Sequence, residues 1–235
     1  MKFLLRLLPI ILLCFSCEQQ PKTSSETSEP TPEIATSSKD RELTIAETIA
    51  YKHGLENWKD ITQLDFTFNV DRAGRTVAKR SWSWKPKLDQ VTLHKPNDTI
   101  TYNRKQLDST VVQADQAFIN DKFWLLAPYQ LVWDEGTTIT TQDTATAPIS
   151  KQKTKMLTIV YGDQGGYTPG DAYDFYYDDD FMIKEWVYRK GNQEEPSMMT
   201  TFEAYTETQG LKIPLVHYGP DNDLKLYFTD VRAQR

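Results

Sequence analysis

The chain has 235 residues, of which 39% are hydrophobic, 12% aromatic and 26% charged. Its 6 Trp, 12 Tyr and 10 Phe predict a packed core, which excludes collagen-like, coiled-coil and wholly disordered proteins. The 27 Lys and Arg residues against 33 Asp and Glu give a net charge of -6. This acidic balance predicts no nucleic-acid partner, because such affinity depends on cationic contacts to phosphate.

The first sixteen residues have the pattern of an export signal. Lys2 and Arg6 form a short positive region, and the apolar stretch 7–15 is too short to span a bilayer. Ser16 and Cys17 then resemble the lipobox of bacterial lipoproteins. That resemblance implies cleavage after residues 1–16, a diacylglycerol on the Cys17 thiol and anchoring by two or more acyl chains. The alternative is ordinary secretion, with Cys17 left as a free thiol.

A tether is predicted to follow. Residues 18–42 are rich in Ser, Thr, Glu and Pro and contain no aromatic residue, so they bury too little apolar surface to offset their ordering entropy. The lipidated cysteine and this segment form the predicted tether 17–42, and the folded domain is expected at 43–235. Both cysteines, Cys14 and Cys17, precede that domain, so we expect it to contain no disulfide.

Two short helices are predicted in the folded part. Thr44 and Glu47 have the spacing of a capping box, and Gly54 gives the stop signal. The apolar face of this helix includes His53, which we interpret as a core residue. A second, weaker helical pattern covers residues 114–122.

Nearly all the remaining sequence alternates with a period of two between turn signals, which is typical of β-strands. A hairpin is predicted from residues 64–70 and 76–84, joined by the turn 71–74. Further strands are expected at residues 91–93, 100–102, 155–161, 173–177, 182–189, 198–206, 211–217 and 224–231. About ten strands with few helices predict a mainly β (α+β) fold built on a single curved antiparallel sheet or barrel.

Catalytic signals are missing from the sequence. It has no nucleophile elbow, zinc-protease motif, phosphate loop or dinucleotide fingerprint, and its 3 His have no partner at metal-ligand spacing. We therefore predict no enzyme, no cofactor and no metal site. The acidic runs 178–180 and 221–223 are interpreted as turns rather than calcium ligands. A glycosidase pair of distant carboxylates stays open at this point.

Several segments resemble a known group of proteins. They are residues 123–129 (FWLLAPY), Gly170 with Asp171, residues 186–188 (WVY), and residues 53–56 (HGLE) with Trp58. Together they resemble uncharacterised Gram-negative envelope lipoproteins related to the lipoprotein-carrier (LolA/LolB-like) fold. The resemblance implies an unclosed antiparallel barrel of about eleven strands, with helices packed across its mouth and an apolar interior that holds acyl chains.

Seven residues are predicted to line that interior. They are Phe66, Phe68, Arg80, Trp82, Trp84, Trp186 and Phe202. Which face of each strand points inward stays open, because a shift of one residue in register inverts the faces.

The leading hypothesis is a membrane-anchored envelope lipoprotein whose open barrel binds or carries a lipid or another apolar ligand. We expect it to be exported and held by the Cys17 anchor in the Gram-negative cell envelope, at the outer membrane. One alternative is a non-enzymatic structural or interaction protein with a filled core and an envelope protein as partner. Another is a surface hydrolase or glycan-binding protein.

Overall fold

The computed structural model describes residues 41–164 and 167–235, which form two α-helices and thirteen β-strands. The helices are α1 (Ile45–Lys52) and α2 (Val112–Trp133). The strands in chain order are β1 (Gln63–Arg72), β2 (Arg75–Lys85), β3 (Gln90–Lys95), β4 (Asp98–Asn103), β5 (Thr137–Thr146), β6 (Lys153–Tyr161), β7 (Ala172–Tyr177), β8 (Ile183–Arg189), β9 (Met198–Thr201), β10 (Thr206–Thr208), β11 (Leu211–Ile213), β12 (Val216–Tyr218) and β13 (Leu224–Gln234). The predicted signal peptide, the lipid attachment at Cys17 and the tether up to residue 40 lie outside the described residues.

The described strands form three antiparallel sheets. The first has the order β12-β13-β1-β2-β3-β4, the second has the order β5-β6-β7-β8-β9, and β10 and β11 form a small ribbon. The mainly β fold with few helices is therefore confirmed. The predicted hairpin turn is also present, since Ala73 and Gly74 join β1 to β2 with left-handed φ values of 50° and 71°.

The expectation of a single curved sheet or unclosed barrel of about eleven strands was wrong in its single sheet, because the thirteen strands of the described residues are divided among three sheets. No sheet among them is closed, and between the two larger sheets there is an isolated bridge from Glu203, just after β9, to Val216 of β12. Two local features stop the pairing there. Ala204 has a φ of 52°, outside the extended region, and Pro214 has no N–H to donate to a ladder.

Helix α1 begins as the capping box predicts. The Thr44 hydroxyl accepts from the Glu47 backbone N–H at 3.2 Å, and the Glu47 carboxylate accepts from the Thr44 N–H at 2.8 Å. Gly54 ends it with a φ of 93°, and a Cβ there would lie 2.0 Å from the carbonyl oxygen of Gly210. His53 is fully buried and its Nδ1 donates to the Ile49 carbonyl at 2.7 Å, which agrees with a core role.

Helix α2 extends well beyond the nine residues that the sequence predicts. It runs to Trp133 and is irregular in the middle, where Leu126 has φ -120° and ψ 22° and Pro128 lies inside the helix. Proline removes one helical hydrogen bond, and its ring crowds the carbonyl four residues earlier. The second half of α2 is buried at residues 124–131, so it shows no polar face from which a helical period could be recognised.

The first sheet packs its apolar face on α2 and fills the space between them. Phe118 of α2 lies 5.5 Å from the Trp82 ring and 5.6 Å from the Trp84 ring, in edge contacts. Phe66 and Phe68 pack edge-on against Phe228 of β13 at 6.0 and 5.6 Å. This part of the core is closed by aromatic side chains.

A buried carboxylate joins α2 to the first sheet. Asp121 accepts hydrogen bonds from Arg80 Nε at 2.7 Å and Nη2 at 2.6 Å, and from Trp82 Nε1 at 2.8 Å. Its side chain is fully buried, while that of Arg80 keeps 31% of its surface exposed. Three donors on β2 therefore compensate one desolvated charge on the helix.

Replacing Asp121 by alanine should destabilise the domain by about 3 kcal/mol, because it leaves Arg80 and Trp82 Nε1 without their acceptor. Urea unfolding followed by Trp fluorescence measures the change. Asp179→Ala is the control, since that exposed carboxylate forms a surface ion pair with Lys155 at 2.9 Å and its removal should leave the unfolding midpoint in place. Equal stability of the two variants would contradict the role of Asp121.

Candidate ligand-binding site

A cavity of about 690 Å³ lies between α2 and the second sheet. Its volume is within the range of small-molecule sites, which is about 300–1,000 Å³. Its walls come from α2, from β6 to β9 and from the segment 162–168 as far as it is described. Its lining includes eight aromatic residues, which are Phe123, Trp124, Trp133, Tyr161, Tyr167, Tyr173, Trp186 and Tyr188.

Strand alternation produces the aromatic wall, which we define as Phe123, Tyr173, Trp186 and Tyr188. Tyr173 of β7 pairs in register with Tyr188 of β8, and Trp186 lies two residues before Tyr188 on the same face. The Tyr173 ring stacks on Trp186 at 5.0 Å with a 9° interplanar angle and on Tyr188 at 5.2 Å. Phe123 of α2 adds a fourth ring, 4.7 Å from Tyr173. These contacts hold the wall in place before any ligand binds.

The cavity also has a polar cluster, defined as Lys122, Gln130, Asp134 and Tyr161. With the Gln130 amide oriented so that both its ends are satisfied, its oxygen accepts from Lys122 Nζ at 2.8 Å and its nitrogen donates to Asp134 Oδ1 at 2.7 Å. The Tyr161 hydroxyl donates to Asp134 Oδ2 at 2.6 Å. A cation and an anion thus face the cavity with a neutral amide between them.

Burial shifts the ionisation of this cluster. Lys122 is only 8% exposed, and loss of hydration lowers its pKa to about 8, with Asp134 opposing part of that change. Burial raises the pKa of Asp134, and its hydrogen bond from Tyr161 opposes the shift. The pKa of Tyr161 is raised by burial and by the neighbouring carboxylate.

Carboxylates hold three tyrosines of the cavity in position. Besides the Tyr161 contact, the Tyr167 hydroxyl donates to Asp115 Oδ2 at 2.8 Å, and the Tyr188 hydroxyl donates to Asp171 Oδ2 at 2.8 Å. Burial and these acceptors raise the pKa of both Tyr167 and Tyr188 to about 12. Asp115 also accepts a hydrogen bond from Arg104 Nε at 2.9 Å, and the guanidinium compensates the negative charge of this carboxylate.

The structure separates the predicted lining residues into two groups. Trp186 lies on the cavity. Six others are located away from it: Phe66, Phe68, Arg80, Trp82 and Trp84 on the first sheet, and Phe202 directly after β9 of the second sheet. The first five face α2 from the other side, in the filled part of the core, and Phe202 packs behind Trp186 at 6.1 Å. Cys17 lies outside the described residues.

Sequence reasoning missed most of the cavity. The polar cluster and the rings of Phe123, Tyr173 and Tyr188 were not predicted as lining, although segments 123–129 and 186–188 were noted for their resemblance. Aromatic residues that alternate on β7 and β8 were a usable signal, but nothing in the alternation shows which aromatic face borders empty space.

Two properties of the described ranges, 41–164 and 167–235, bear on what the site can do. No three His, Cys, Asp or Glu side chains within them come together in a way that could hold a metal ion. None of the helices there is long and apolar enough to cross a membrane.

Comparison with known proteins gives distant structural similarity. No protein-family model matches the chain, and no curated protein matches it. Among solved structures, it is similar to a LolA superfamily protein from Nitrosomonas europaea, with TM-score 0.47 and 9% identity over 82% of this chain and 95% of that one. A DUF1329 family protein from Desulfovibrio piger gives TM-score 0.47 and 8% identity over 81% and 92%. The Mycobacterium tuberculosis lipoprotein LppX gives 0.27 and 9% over 79% and 94%.

The pKa of Lys122 predicts a pH-dependent stability. Between about pH 8 and 10.5 the folded state has released this proton while the unfolded chain keeps it, so the free energy of unfolding rises with pH. Relative to a Lys122→Met variant, the wild type should gain about 2 kcal/mol between pH 7.5 and 9.5. Urea titrations at both pH values measure the difference. The exposed-lysine control, Lys190→Met, should keep the wild-type dependence, and parallel behaviour of all three proteins would contradict the prediction.

Proposed function

We propose that this chain is an envelope lipoprotein, anchored through Cys17, whose folded domain binds an apolar ligand in the cavity between α2 and the second sheet. The observation that carries the proposal is the aromatic cavity itself. Its wall of Phe123, Tyr173, Trp186 and Tyr188 is stacked and held by hydrogen bonds, so little ordering is required when a ligand enters.

Burial supplies the binding free energy in this proposal. An acyl chain or another apolar group gains about 0.8 kcal/mol for each methylene that leaves water. Aromatic rings present large apolar surfaces and lose little conformational freedom on binding, since they are already packed. The role is binding or carriage rather than catalysis. Two carboxylates line the cavity among the described residues, Asp134 and the exposed Glu135, and Asp134 already accepts hydrogen bonds from Tyr161 and Gln130.

The proposed location and partners rest on the N-terminal sequence. We propose export by residues 1–16, a lipid anchor at Cys17, a tether to residue 42 and residence in the Gram-negative envelope at the outer membrane. The membrane is then the source or the destination of the apolar ligand, and the tether holds the cavity within reach of it.

A protein-interaction role is the second candidate. It is favoured by the filled core of the first sheet, where Phe66, Trp82 and Phe118 leave that region closed. In that case the outer surface binds an envelope protein and the cavity has no ligand.

Displacement of an apolar fluorescent probe separates the two candidates. The full chain, carrying Cys17→Ser so that no acyl chain is attached, is loaded with N-phenyl-1-naphthylamine and titrated with 1-octanol, 1-decanol and 1-dodecanol. We expect saturable displacement, with the dissociation constant falling about fourfold for each added methylene. Absence of saturable probe binding would contradict the proposal and favour the interaction protein.

A matched pair of variants assigns the binding to the cavity. Met198 lines the cavity, while its neighbour Met199 points to the other face of β9, and both are half-buried. Met198→Trp should weaken 1-dodecanol binding at least tenfold by filling the space, whereas Met199→Trp should change it less than twofold. Equal effects of the two would place the ligand elsewhere.

A further inference from the structure

The Lys122 ammonium is a feature of the cavity that an apolar ligand alone does not use. The residue is 8% exposed and lines the cavity wall. Of the three N–H groups of the ammonium, one donates to the Gln130 amide oxygen at 2.8 Å. Among the described residues no carboxylate lies within ion-pair distance of Nζ, which lies 5.6 Å from the ring centroid of Trp84 and 5.9 Å from that of Trp133.

The nearest candidate counter-ion is already occupied. The Asp134 carboxylate accepts from the Tyr161 hydroxyl at 2.6 Å and from the Gln130 amide nitrogen at 2.7 and 3.2 Å. Gln130 stands between this anion and Lys122, so the two charges do not meet directly. A buried cation that keeps two free donors is costly unless a partner supplies acceptors.

The other cation on the cavity does not compete for that partner. Arg104 donates from Nε to Asp115 at 2.9 Å, and Asp115 is buried, so its charge is compensated within the protein. The lining also holds two carboxylates, Asp134 and the exposed Glu135, so what the cavity offers is not a net positive charge but one buried ammonium with two unmatched donors. A singly charged group with two acceptor oxygens matches this arrangement, whereas a phosphate dianion would need further donors.

We propose that the ligand is an anionic amphiphile with one alkyl chain, whose carboxylate accepts hydrogen bonds from Lys122 while its chain lies along the aromatic wall. This inference rests on the proposed function and adds the charge and the head group of the ligand. Burial lowers the pKa of Lys122 to about 8. A carboxylate bound beside the ammonium would raise this pKa again, because it favours the charged form.

Two ligands of equal chain length separate the head group from the chain. Isothermal titration calorimetry at pH 7 compares dodecanoate with 1-dodecanol on the full chain carrying Cys17→Ser. We expect dodecanoate to bind about tenfold more tightly, because the hydrogen bonds to the ammonium are charge-assisted. Dodecyl phosphate is the third ligand and should bind no more tightly than dodecanoate.

The variant Lys122→Met removes the charge and keeps a flexible side chain of similar length. In it, the dissociation constant of dodecanoate should rise about tenfold, and that of 1-dodecanol should change less than twofold. Retained 1-dodecanol binding shows at the same time that the variant is folded.

Each other outcome has a distinct meaning. Equal binding of the acid and the alcohol to the wild type overturns the carboxylate site but leaves an apolar cavity. An acid preference that survives in Lys122→Met overturns the role of Lys122. Tighter binding of dodecyl phosphate overturns the choice of a carboxylate. Failure of all three ligands to bind overturns the proposed function itself, and with it this inference.

Discussion

The contact between Asp121 and β2 determines how the rest of the domain is arranged. Arg80 and Trp82 donate three hydrogen bonds to this fully buried carboxylate, which fixes the rotation of α2 on the first sheet. Each helical residue turns by about 100°, so Phe123, two positions later, faces nearly the opposite way. That is the side on which the second sheet lies and the cavity opens.

The residues of α2 that border the cavity lie on both sides of the irregular middle of the helix. Lys122 and Phe123 precede the non-helical Leu126, while Gln130 and Trp133 follow Pro128. The hydrogen bond between Lys122 and Gln130 spans this segment. It links the two halves of the helix where the proline removes a backbone hydrogen bond. A ligand that contacts Lys122 would therefore act on the least regular part of the helix.

Local signals predicted local structure well and the cavity poorly. The Thr44–Glu47 capping box and the Ala73–Gly74 turn depend on a few neighbouring residues, and both are present. The second half of α2 is buried on every side, so no hydrophobic period marks it. Alternation on β2 showed that Trp82 and its neighbours form an apolar face, but an apolar face has the same pattern whether another element fills it or leaves space beside it. The end of pairing has local causes, the left-handed φ of Ala204 and the missing N–H of Pro214, of which only the proline is visible in the sequence.

The pairing of β13 with β1 has a consequence for the order of events in folding. Gln63 lies opposite Gln234, so the first strand of the domain is completed by the last one described, about 170 residues later in the chain. Until β13 is available, β1 has only β2 as a neighbour in the first sheet, and the surface on which α2 rests is incomplete. The domain cannot reach its final form while its C-terminal strand is still being synthesised.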